Sequence, residues 1–213
     1  MTLSNKVYAL MLLTLFIILW VGLAINPLSR DDWLLENIIP MISLVCLIAT
    51  YHRMSFSKLS YFVIFLFLCL HTLGSHYTYS QVPYDKWVFA LTGGSLDAFM
   101  GWERNQFDRL VHFLYGLLLL YPVKELVIRT TQVKRGMAYF VAVLIIMSTS
   151  MLYEFIEWGA AEFFGGDLGV SYLGTQGDVW DAHKDMLLAS IGAVISASYF
   201  YWRFRRNALG TLK

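Results

Sequence analysis

Acidic and imidazole side chains recur along this 213-residue chain at spacings that would place each set on one face of a helix. Asp108 and His112 are four apart, Glu154 and Glu157 three apart, and Asp178, Asp181 and Asp185 three and then four apart. Carboxylates with neutral imidazole and no neighbouring thiol suit zinc, manganese, iron or magnesium. Asp108, His112, Asp181 and Asp185 are therefore candidate metal ligands. Asp108, His112, Glu154 and Glu157 are candidate catalytic acids or bases, able to polarise water or accept a proton. A simpler account is that acids at helix ends are solvated, with Asp178 favoured by a helix N-terminal dipole. His112 and Asp185 weigh against it, because each lies a full turn inside its helix.

Other polar groups point elsewhere. His71 and His76 are five apart, about 140° around a helix, so at most one joins a common site unless Gly74 breaks the helix. His183 points away from the Asp181–Asp185 face, and His52 beside Arg53 reads as a solvated loop residue. Trp158 and Trp180 read as interfacial anchors, and Tyr153 as core in preference to a proton donor.

The elements that must position these groups are apolar. Hydrophobic residues make up 58% of the chain and charged residues only 15%, more apolar surface than a soluble chain of this length can bury. Six stretches are expected to cross a bilayer as helices: 7–26, 37–52, 59–76, 108–126, 136–156 and 182–202. The fold class is thus all-α, a six-transmembrane-helix bundle forming a single membrane domain over 1–213. The first run reads as a retained helix rather than a leader. Pro40 is expected near the start of the second helix, and helices one and two are expected to carry no charge. Cys46 and Cys69, inside apolar runs, read as buried hydrophobes.

Six crossings put Lys6, Arg53, Lys58, Lys124, Arg129, Lys134, Arg135, Arg203, Arg205, Arg206 and Lys213 on one side, with Glu125 their single acidic companion. The remaining 14 acidic residues share the other side with 5 basic ones. Lysine and arginine mark the cytoplasmic side, so both termini are expected inside and the acidic face outside. The outer segment 77–107, rich in Tyr and Trp, is expected to lie in the interface. The Gly-rich segment 157–180 is expected to be a flexible loop or lid. No phosphate loop, nucleophile elbow or H-E-x-x-H pattern is present, and the basic residues form no nucleic-acid surface.

The run Asp108-x-x-x-His112-Phe113, Glu154-x-x-Glu157, Asp181-x-x-x-Asp185 and Gly192 resembles the VanZ-like group of small bacterial membrane proteins over residues 108–192. In that pattern Arg109 stands where the group has lysine, Glu157 where it has glutamine, and Asp185 where it has asparagine. Over its whole length the chain is similar to the YjdF family of bacterial inner-membrane proteins, a domain of unknown function. The resemblance implies a multi-pass protein of the bacterial inner membrane. The VanZ-like pattern implies a ligand that is lipid-linked or wall-related.

Three functional classes follow. The first is a membrane-embedded enzyme holding a divalent metal or an acid–base pair and acting on an amphiphilic, lipid-linked substrate, with Arg104 and Arg109 receiving an anionic headgroup. The second is a transporter or proton-coupled permease using a carboxylate relay. The third is a non-catalytic protein that binds lipid or a partner.

Overall fold

The computed structural model describes residues 3–210, and every regular element among them is an α-helix. Nine helices are present among the described residues: α1 (Asn5–Leu23), α2 (Arg30–Ala49), α3 (Lys58–His76), α4 (Tyr84–Thr92), α5 (Leu96–Met100), α6 (Phe107–Thr130), α7 (Arg135–Phe164), α8 (Gly166–Leu173) and α9 (Asp181–Gly210). Lys213, counted above on the basic side, lies outside the described residues.

Five of these helices, α1, α2, α3, α6 and α7, are long and apolar enough to cross a membrane. The expected sixth, α9, is not among them. Asp181, Lys184 and Asp185 occupy its first turns and Arg203, Arg205 and Arg206 its end, so its uncharged stretch is limited to Met186–Trp202.

Serine caps set the starts of the first three helices. Ser4, Ser29 and Ser57 each accept a hydrogen bond from a backbone N–H of the first turn. The Ser29 cap, followed by Asp31 and Asp32 against the positive end of the helix dipole, starts α2 seven residues before the expected position 37. Two expectations fail as a result. Pro40 sits in the interior of α2, and α2 carries Arg30, Asp31, Asp32 and Glu36 rather than no charge. The segment 157–180 is also largely helical rather than a loop. α7 runs on to Phe164, Gly165 and Gly166 turn the chain with positive φ, and α8 folds back on α7. Gly169 makes that return possible, since a Cβ there would come within 2.7 Å of the Ala161 carbonyl oxygen. Cys46 is exposed and Cys69 half-buried, so only the second approaches the expected burial.

The tightest packing is between α6 and α9, which run parallel: Arg104, just before α6, meets Asp181, Gly116 meets Ala189, and Tyr121 meets Phe200. A Cβ on Gly116 would lie 1.9 Å from the Ala189 carbonyl oxygen, and one on Gly192 would lie 2.2 Å from that of Phe113. Both contacts are backbone to backbone, the close approach that small residues permit between helices in lipid. Leu120, Ala142, Ile146 and Ala193 fill the seam between α6, α7 and α9. The polar ends of these helices are held by the same packing.

Candidate functional site

Asp108 and His112 are on the first turns of α6, Asp185 on the second turn of α9, and Glu154 two-thirds of the way along α7. The close α6–α9 contact brings one ligand atom each from Asp108, His112 and Asp185 within 4.8 Å of one another. His112 lies between two carboxylates: its Nε2 is 3.6 Å from Asp108 Oδ1 and its Nδ1 3.7 Å from Glu154 Oε1. Both separations exceed a hydrogen bond. Glu154 Oε1 and Asp185 Oδ1 are buried without a hydrogen-bond partner, in residues only 7% and 2% exposed. Buried carboxylate oxygens are costly unless paired or coordinated. A divalent ion fits this donor set, with Asp108, His112 and Asp185 as the residues that would hold it.

Asp181, the fourth expected ligand, is occupied otherwise. Arg104 grips it with two nitrogens, at 2.5 and 3.2 Å, and Arg109 approaches the same carboxylate at 3.2 Å. Arg109 also donates to Asp178, as does Lys184. The ammonium of Lys184 first, then the Trp180 amide and Arg109, hold the Asp178 carboxyl well below its ordinary range. Arg104 further donates to the carbonyls of Thr175 and Gly174, and Gln176 exchanges two hydrogen bonds with the backbone of Asn105. Together these contacts bind the segment between α8 and α9 as a roof over Asp108. The expectation that Arg104 and Arg109 stand ready for an anionic headgroup is therefore corrected: both guanidinium groups are engaged by Asp178 and Asp181 within the chain. Trp158, Trp180 and His183 are exposed, in keeping with the peripheral places expected of them.

A cavity of about 460 Å³ adjoins the cluster, and Asp108 and His112 belong to both. Its polar end also carries Glu36 from α2, His71 from α3, Tyr79, and Tyr153 and Glu157 from α7. Below them the wall is apolar, with Ile39, Leu44, Leu47, Ile64, Leu68 and Leu119. α2 packs on α3 and α8, while the cavity lies between it and α7 except where Tyr153 reaches Glu36. Leu152 and Ile156 edge the cavity and are about half exposed, so it opens sideways to the surroundings of the bundle.

Three sequence features build the second polar group. Pro40 has no N–H, so the carbonyl of Glu36 one turn earlier lacks its helical donor. His71 Nε2–H donates to that carbonyl at 3.0 Å. Gly74 leaves room for the Tyr79 ring, which lies 2.7 Å from where a Cβ would be. Thr78 and Tyr79 both adopt positive φ to fold the chain back, and the Tyr79 hydroxyl donates to His71 Nδ1. These partners fix the neutral tautomer of His71 with the proton on Nε2. Tyr153 donates to Glu36 Oε2 at 2.9 Å. His71 is thus the one histidine of its pair that faces the site, on an unbroken helix, while His76 bonds the Leu23 carbonyl. Glu36 was not expected here, and Tyr153, read as core in preference to a proton donor, donates at the site. The signal for Glu36 was present in Ser29 followed by Asp32 and Glu36 at i, i+4 spacing.

Residues 8–206 match the model of a family described as "Predicted membrane protein (DUF2238)". The chain belongs to this family. It is also 34% identical over 188 residues to "Inner membrane protein YjdF" of Escherichia coli (strain K12), covering 88% of this chain and 85% of that protein. No solved structure matches it. As a DUF2238 member with several apolar helices of membrane-crossing length, the chain is a multi-pass inner-membrane protein. The family match spans every residue of the cation cluster and of the cavity.

Proposed function

We propose that this DUF2238 protein is a membrane-embedded enzyme that uses a divalent ion, held by Asp108, His112 and Asp185, on a lipid-linked or other amphiphilic envelope substrate. One observation carries the reading: Asp108 and His112 belong at once to the cation cluster and to the polar end of a cavity whose other end is apolar. A chain-bearing ligand lying in that cavity would present its head to the cluster. The ion would supply Lewis acidity and lower the pKa of a bound water. Glu154, whose Oε1 lies 3.7 Å from His112 and has no hydrogen-bond partner, is the base in this scheme, and Glu157 on the cavity wall supports it.

The reading places the cluster at the periplasmic face of one membrane domain spanning 1–213. In it α9 is the sixth crossing and both termini are cytoplasmic. The 17 uncharged residues Met186–Trp202 reach about 25 Å at 1.5 Å per residue, close to the hydrocarbon thickness. Their parallel course beside α6 supports the same direction of crossing. The basic residues at the start of α1, between α2 and α3, between α6 and α7, and at the end of α9 support the orientation. α4 and α5, with Trp87, Phe89, Leu91 and Phe99 exposed, suit the membrane interface.

A transporter would need polar groups through the full thickness. Charges at Asp32 and Glu36 lengthen the polar end, but the wall from Leu44 to Leu68 stays apolar, which favours a ligand site over an ion path.

The test is metal analysis of the full-length protein purified in neutral detergent, beside His112→Ala and Asp185→Asn. About one equivalent of a divalent ion is expected in the parent chain, lost in both variants. Metal-free protein whose thermal unfolding ignores chelator and added ion would overturn the metal scheme.

A further inference from the structure

The head group that this cavity accepts is legible from its wall. Two carboxylates outside the cation cluster, Glu36 and Glu157, face it, with no lysine or arginine among the described residues that line it. The nearest guanidinium groups, Arg104 and Arg109, are neutralised by Asp178 and Asp181. Around the carboxylates stand the rings of Phe67, Tyr79, Tyr115 and Tyr153, and the Tyr115 hydroxyl is already paired with Thr149. Independently of the acids, Ser150 lines the same cavity, is 2% exposed, and its Oγ has no hydrogen-bond partner. A buried hydroxyl left unpaired at a cavity wall calls for a polar group from a ligand.

We propose that the cavity binds a single-chain amphiphile whose head is a protonated amine. The carboxylates and the ring faces both favour a cation, and the three N–H bonds of a primary ammonium match carboxylate and hydroxyl acceptors. Tyr153 occupies one oxygen of Glu36 and leaves the other to accept. A phosphate or carboxylate head would meet like charge at Glu36 and Glu157, an arrangement that disfavours a wrong partner. The apolar wall from Ile39 to Leu119 accommodates the tail, and the volume of about 460 Å³ is that of a small-molecule site. The proposal rests on reading the cavity as the ligand-bearing part of the site, and deepens it by naming the head.

The full-length protein in phosphatidylcholine nanodiscs, treated with EDTA, is titrated calorimetrically with dodecylamine, dodecanol and dodecanoate against empty nanodiscs. These probes share a tail and differ in head charge. Dodecylamine is expected to bind at least about tenfold more tightly than the other two, a difference of about 1.4 kcal/mol. Glu36→Gln and Glu157→Gln should each remove most of that preference, and Leu119→Trp should abolish binding of all three probes. If Glu36→Gln does not fold, Glu157→Gln reads the same charge from another helix. Equal or tighter binding of dodecanoate, or a preference unchanged in a folded Glu157→Gln variant, overturns the proposal. Binding of dodecylamine and dodecanol alike defeats the choice of head while leaving the cavity a ligand site. Binding of none of the probes defeats the cavity reading, and a stoichiometric metal retained in untreated protein then leaves the metal site standing.

Discussion

Substituting Gly116 by alanine adds one methyl group, and the helix seam has no space for it. The new Cβ would lie 1.9 Å from the Ala189 carbonyl oxygen and 2.8 Å from the Ala193 nitrogen, where ordinary contact begins at 3.4 Å. Both neighbours are backbone, so α6 and α9 must part by about 1.5 Å, and overpacking of this kind costs roughly 1–3 kcal/mol. The consequence reaches the cluster. Gly116 is two turns, about 12 Å, along α6 from Asp108, and Asp185 faces the cluster from α9. Ligands about 2.0–2.2 Å from one ion can be no more than about 4.4 Å apart. The Asp108, His112 and Asp185 atoms are within 4.8 Å as they stand, so a wedge between the two helices carries them out of chelating range. Gly116→Ala is therefore expected to lower the unfolding temperature and to weaken metal binding about tenfold or more, with every ligand intact. The control is Gly159→Ala on α7, where an added Cβ meets nothing within 4 Å. Thermal unfolding in detergent with and without added ion, beside metal content, reads both effects. A Gly116→Ala protein that melts and binds metal like the parent would refute the close α6–α9 contact as the device that assembles the cluster.

Two further outcomes follow from the site's supports. Pro40→Ala restores a backbone N–H to α2 that competes with His71 for the Glu36 carbonyl. The gain in helix propensity, about 3 kcal/mol, should be partly offset by a buried imidazole donor left without its acceptor, a loss of about 1–3 kcal/mol, with the His71 ring resonances shifting in NMR; unshifted resonances would contradict the pairing. For the roof, the Asp178 carboxyl is held below its ordinary value of 3.8, so its contribution is complete above that value and is lost as the pH falls below it. A cysteine at Gln176 should accordingly react faster with a water-soluble maleimide at neutral pH in Asp178→Asn than in the parent background, and equal rates would show that the ion network does not fasten the segment.

How much of this was legible in the residues divides along physical lines. The apolar runs gave α1, α3, α6 and α7 because lipid imposes a single continuous requirement on some twenty residues, which composition alone reports. The i, i+4 pairs gave Asp108 with His112 because a helix fixes its own faces. Asp181 could not be resolved in that way. Its helix face was read correctly, but its partner Arg104 is 77 positions away and outside any helix, so nothing local distinguishes a ligand from half of an ion pair. The start of α2 was open to reading and was obscured by the charges themselves. Arg30, Asp31, Asp32 and Glu36 look like a loop when charge is taken to exclude a span, yet Ser29 and two acids in a first turn are an ordinary helix start. With that start goes the polar half of the cavity. Pro40 then serves as the residue that frees a carbonyl for His71, and Gly74 as the one that admits Tyr79. In both cases the sequence holds an absence, of an N–H in one and of a Cβ in the other. Such an absence acquires a function only when the residue that exploits it, distant in the chain, is brought beside it.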